Sequence, residues 1–168
     1  MNATRFRYIN ATLGAAVLLS ASLAVCVFFS ARRPMTDADV TVATQQLTRW
    51  ALGGQTLTGN EQPLHDLNFF KDRTIILSFS GVATPPGGPP FVPERSVEVH
   101  DWIDAEQLFR EKGYEYAYIT VEQQARGVDC VHFRVSIRFG SLGGQGYDFT
   151  VTKGMRGLKF DGTLSWIS

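Results

Sequence analysis

Three histidines carry the reactive chemistry this chain offers, and two of them stand beside an aspartate. His65-Asp66 and His100-Asp101 each pair an imidazole with a carboxylate, the residue types of general acid–base catalysis. Spacing weakens both pairs. Neighbours on a strand point to opposite faces, so His100 and Asp101 cannot easily share a site if they lie on one. His100-Asp101 reads as a strand-end histidine beside a helix cap. His132 stands in the alternating run Cys130 to Phe139, with Arg134 and Arg138 on the same polar side. Across a hairpin these three can meet Asp148, Lys159 or Asp161, and such pairs on a solvated face contribute only a few tenths of a kcal/mol each. Cys130 opens that run with no histidine base evident from spacing, so it reads as a small half-buried residue. No histidines or cysteines fall at zinc-ligand spacing, and no metal or cofactor is expected. The glycine-rich Gly140 to Gly146 lacks the Lys-Ser/Thr of a phosphate-binding loop and joins two strands, so it reads as a hairpin turn.

The elements that must position these residues are legible from periodicity. Thr36 is a good N-cap, followed by Asp37 and Asp39 where the helix dipole favours acids. Val40, Ala43, Leu47, Trp50 and Ala51 then recur at helical spacing, and Gly53-Gly54 ends the helix. A short helix is expected over Leu64 to Phe70. TIILSFS at 74–80 is a strand by its β-branched and aromatic content. Residues 81–95 form a Pro/Gly-rich loop; the stretch from Ser80 to Pro93 holds five of the seven prolines. Its PxxP spacings lack a basic anchor beside them and read as a rigid surface loop. Ser96 to Trp102 reads as a strand, and Asp104 as the cap of a second helix, with Gln107 three residues on and Gly113 as its stop. Tyr114 to Glu122, Cys130 to Phe139, Tyr147 to Val151 and Leu158 to Trp166 then alternate. Period two with one apolar side predicts an antiparallel meander, packed on one face and wet on the other, with both helices covering the apolar face.

One segment speaks to location. Residues 11–29 run nineteen positions without a charge, flanked by Arg5 and Arg7 before and Arg32 and Arg33 after. At about 1.5 Å per residue that run matches a bilayer's hydrocarbon thickness of about 30 Å. Cleavage at Ser22-Leu23-Ala24, or lipidation at Cys26 after Leu23-Ala24-Val25, would each leave Val27-Phe28-Phe29 near the new terminus. Length and flanks favour a retained signal anchor. The expected layout is a tail over 1–10, a transmembrane anchor over 11–31, a linker over 32–35 and a soluble domain over 36–168. The bilayer is then a partner through residues 11–29. The domain lies on the periplasmic or extracytoplasmic side of an inner membrane, within reach of an envelope protein partner. With Lys plus Arg equal to Asp plus Glu, at 16 each, the chain lacks the basic excess of a nucleic-acid binder. Cys26 and Cys130 are not expected to meet.

The order of helix, short helices and meander, closing on Gly162-Thr-Leu-Ser-Trp166-Ile-Ser168 with the hairpin Gly143-Gly-Gln-Gly-Tyr147, resembles the NTF2-like and cystatin-like α+β folds over roughly residues 36 to 168. Such folds host binding modules, immunity proteins and enzymes. With an anchor and no convergent set of reactive groups, the expected role is a non-catalytic tethered module that binds a protein or small ligand, and an immunity or accessory protein is a further alternative. The enzyme alternative is an isomerase, dehydratase or hydrolase type with a pocket between the first helix and the sheet. In that case His65, Asp66, His100 or Asp101 would line that pocket together with Tyr116 or Tyr118.

Overall fold

The computed structural model describes residues 33–53, 57, 70, 73–84, 96–113, 115–139, 143–154 and 157–168, and Pro34–Ser168 forms one compact unit. The apolar run at 11–29, the pair His65-Asp66 and most of the helix expected over 64–70 lie outside these residues. Among the described residues no helix is long and apolar enough to cross a membrane.

The first helix, α1, spans Asp37–Ala51 and starts where its sequence directs. Thr36 accepts from the Asp39 amide, and the Asp39 carboxylate accepts in return from the Thr36 amide, so two orphan donors are satisfied reciprocally. Its inward stripe is Val40, Ala43, Leu47, Trp50 and Ala51, as the helical spacing predicts. Thr44 and Thr48 share that stripe because their hydroxyls bond back to the carbonyls of Val40 and Thr44, at 2.9 and 2.8 Å.

Six strands follow: β1 (Thr74–Ser80), β2 (Val97–His100), β3 (Tyr116–Arg126), β4 (Cys130–Arg138), β5 (Gly144–Gly154) and β6 (Gly157–Ile167). They form one sheet in the order β2-β1-β3-β4-β5-β6. The expected meander is present in β3 to β6. The sheet as a whole is mixed, because β1 runs parallel to both β2 and β3. Parallel neighbours need a crossover. The connection from β2 to β3, which flank β1, is such a crossover and carries the second helix, α2 (Trp102–Lys112).

That crossover corrects the expected layering. α2 does not join α1 on the apolar face. It packs Ala105, Leu108 and Phe109 onto Ile76, Tyr116 and Tyr118, whereas α1 packs onto Ile75, Leu77, Ala117, Ile119 and the inward side of β4 and β5. Successive strand residues point to opposite faces, so the two helices cover opposite sides of the sheet. β1 and β3 are therefore apolar on both sides, and residues 75–78 and 117–121 are buried without alternation. Trp50 wedges into the α1 side edge-on to Tyr147 and Phe149, with ring centroids 4.9 Å apart in each case.

The start of α1 is also tied to the sheet. The Met35 amide donates to Val128 O at 2.9 Å, Arg126 bonds Asp37 and the Met35 carbonyl, and Lys153 reaches Asp39 at 2.6 Å. Beyond its own Thr36 bonds, the N-terminal turn is held by the β3–β4 hairpin and the end of β5.

Candidate functional site

The residues read from the sequence as reactive separate into three places. His100, at the end of β2, bonds Glu98 two residues back on the same face, Nε2 to Oε2 at 3.0 Å. Asp101 turns to the next element, where its carboxylate accepts from the Asp104 amide at 2.9 Å as the N-cap of α2. The cap therefore stands three residues earlier than Asp104, and β2 ends at His100 rather than Trp102. A carboxylate committed to a helix amide is not a partner for the histidine before it.

Tyr116 and Tyr118 lie beneath α2. Tyr118 is fully buried, with its hydroxyl 3.0 Å from Ser78 Oγ, and Tyr116 is half-buried with Lys112 Nζ 5.9 Å from its ring centre. Both face away from α1, so neither lines a space between that helix and the sheet. Arg138 belongs with them. Its guanidinium lies over the rings of Phe109 and Tyr118, 5.5 and 5.9 Å from the centroids, and reaches Glu106 at 3.3 Å. It pins the edge of α2 and does not join the charges further along β4.

Beyond Arg138 the α2 side of the sheet is open, and here the remaining candidates converge. Two cross-strand rows define the surface. In the first, Arg134 stands opposite Asp148 and Asp148 opposite Thr163; in the second, His132 stands opposite Thr150 and Thr150 opposite Asp161. Gln124, placed by the irregularity between Gln123 and Ala125 in β3, closes one side. Together these residues line a concavity of about 320 Å³. Arg134 grips Asp148 with two nitrogens, at 2.8 and 3.4 Å. The hydrogen bond that Arg134 donates to Asp148, reinforced by the carboxylate's charge, raises the guanidinium above its ordinary range. Both side chains are more than two-fifths exposed, so the pair orients more than it stabilises. His132 Nδ1 lies 3.1 Å from Thr150 Oγ1, while its Nε2 faces Cys130 Sγ at 3.8 Å.

Alternation places Arg134 on the polar side, and the β4–β5 register selects Asp148 from the partners Asp148, Lys159 and Asp161 that the sequence allows. Gln124, Thr150 and Thr163 carry no sequence signal of their own. They become visible only once the register across β4, β5 and β6 is known. The neighbouring Trp166 is positioned by a deletion of bulk on β5: a Cβ at Gly146 would stand 1.9 Å from Trp166 Nε1, so glycine lets the indole lie against the strand. Among the described residues no three potential metal ligands come together.

No protein-family model, curated protein or solved structure matches this chain, so the likeness to NTF2-like and cystatin-like folds assigns it to neither.

Proposed function

We propose that this chain is a non-catalytic binding domain, tethered to a membrane by residues 11–29 and displayed outside the cytoplasm, whose open β4–β6 face takes a polar ligand or a polar segment of an envelope partner. The observation that carries this reading is the concavity over the rows Arg134–Asp148–Thr163 and His132–Thr150–Asp161. Its walls present donors and acceptors held by one another, with the Arg134 guanidinium already matched by the Asp148 carboxylate. That arrangement suits recognition by several hydrogen bonds. The support for the tether is the uncharged run in the sequence. The enzyme alternative draws no support from the described candidates, because His100, Asp101, Tyr116 and Tyr118 are engaged in separate places with structural neighbours.

A photoreactive amino acid at Thr163 or Gln124, in the full-length chain in its native cells, tests the binding reading. A discrete cross-linked product at these two positions, absent for the same probe at Thr41 on α1, is the expected result. Equal labelling at all three positions, or none, contradicts it. Membrane fractionation with protease added from each side tests the tether separately.

A further inference from the structure

One cluster at the rim of the open face shares His132 and Thr150 with the binding rows and adds a thiol that binding does not use. Cys130 and His132 are two residues apart on β4, so strand periodicity puts sulfur and imidazole on the same side. Thr150, directly across on β5, engages Nδ1 at 3.1 Å and leaves Nε2 facing Sγ at 3.8 Å. Nucleophile, base and a third group orienting the base thus stand in sequence, the arrangement that activates a thiol. The thiol is half-buried and forms no disulfide. Gly127 of the hairpin packs close by, where a Cβ would stand 3.0 Å from the sulfur.

We propose that Cys130 and His132 form a thiol–disulfide exchange site that takes up low-molecular-weight disulfides. The steps balance. With Nδ1–H donating to Thr150 Oγ1, Nε2 accepts the Cys130 thiol proton. The thiolate attacks one sulfur of R–S–S–R, and the new Sγ–S bond forms as the old S–S bond breaks. The departing RS⁻ takes the proton from the His132 imidazolium and leaves as RSH. The thiol is oxidised to a mixed disulfide, and half of the incoming disulfide is reduced to thiol. The charged groups around the site are Arg134 on the same strand, Asp148 on β5, Lys159 and Asp161 on β6, Glu122 on β3, and Asp129 in the adjoining hairpin. The mixed disulfide stands beside His132 on the rim of the concavity, but the exchange chemistry does not depend on what that concavity binds.

The test uses the full-length chain carrying Cys26→Ser, so that Cys130 is its only thiol, with bis(2-hydroxyethyl) disulfide as an uncharged probe and intact mass as the readout. Near neutral pH the parent is expected to form the adduct roughly tenfold faster than H132Q, a modest part of the ~10²–10⁴ a positioned base contributes. The ratio closes at alkaline pH, where hydroxide replaces the imidazole. T150S keeps the parent rate, and T150V is slowed. Equal rates for parent and H132Q at every pH overturn the proposal. Should H132Q fail to fold, T150V decides: slowing that T150S does not share supports the site, and an unchanged rate overturns it.

Discussion

Replacing Asp39 with asparagine tests how the start of α1 is held. One carboxylate oxygen, Oδ2, accepts from Lys153 Nζ at 2.6 Å, from the Thr36 hydroxyl at 2.6 Å and from the Thr36 amide at 2.8 Å. The Lys153 bond, with the Thr36 bonds behind it, lowers the Asp39 carboxyl from 3.8 to about 2. Through linkage, such a depression is worth on the order of 2 kcal/mol at neutral pH. The two side chains are 18% and 25% exposed, and solvent screening reduces the figure to roughly 1–2 kcal/mol. The sign follows from the direction of the shift. A carboxyl whose folded pKa is depressed adds stability that is complete above its unfolded value of 3.8 and is lost as pH falls through about 2. D39N keeps the shape and a capping oxygen but loses the charge. It should therefore unfold at a urea midpoint lower by roughly 0.5–1 M at neutral pH, given a denaturant slope of about 1–3 kcal/mol per molar. The gap between the two proteins should close as pH drops through this acid range. A chain beginning at Pro34, followed by tryptophan fluorescence in urea, is sufficient for the measurement. Identical midpoints at neutral pH, or a gap that persists unchanged into acid, would refute the clamp.

Three further outcomes separate core, cap and platform. Trp50→Ala removes a side chain only 1% exposed and should cost about 3–5 kcal/mol, read as a large fall in melting temperature or loss of the folded state. Asp101→Ala should cost about 1 kcal/mol through the lost cap of α2 and leave cross-linking from Thr163 unchanged, whereas a catalytic Asp101 would not show that profile. Gly146→Val places carbons where the Trp166 indole lies, so Trp166 fluorescence should shift to the red and stability should fall by roughly 1–3 kcal/mol in thermal melts.

Much of this fold is legible in the sequence because it rests on local rules. Thr36, the stripe from Val40 to Ala51, and the alternation in β4 and β5 each announce an element through spacing alone. The parallel half is harder to read, yet it leaves a trace. Ile75-Ile76-Leu77 and, against the alternation expected for Tyr114 to Glu122, the run from Ala117 to Val121 do not alternate in burial, the mark of strands covered on both faces. A single covered face cannot accommodate three consecutive buried aliphatics, so those runs argue for a helix on each side. The site is less legible. Cys130 and His132 sit at strand spacing, but the base becomes apparent only when period two is applied to that pair and Thr150 is brought across from β5. Register across a hairpin depends on turn and bulge geometry, which the glycine-rich residues 140–146 do not encode plainly.

The division of the α2 face explains why a small domain leaves one surface polar. α2 has eleven residues and covers β1 and β3, with Arg138 at its margin over Phe109 and Tyr118. Past that margin the strands bear His132, Arg134, Asp148, Thr150 and Asp161, whose burial under another helix would strip water from ionic groups without adding partners. Their opposite side is already buried by Val131, Phe133, Val135, Phe149 and Val151, so folding does not require the polar side to be covered. Substitutions on the two sides must then differ in kind. On the α1 side they act through packing and lower stability, whereas at Thr163 or Asp161 they leave the core untouched. A loss of cross-linking there without a loss of melting temperature would locate recognition on the open face, because both side chains are exposed.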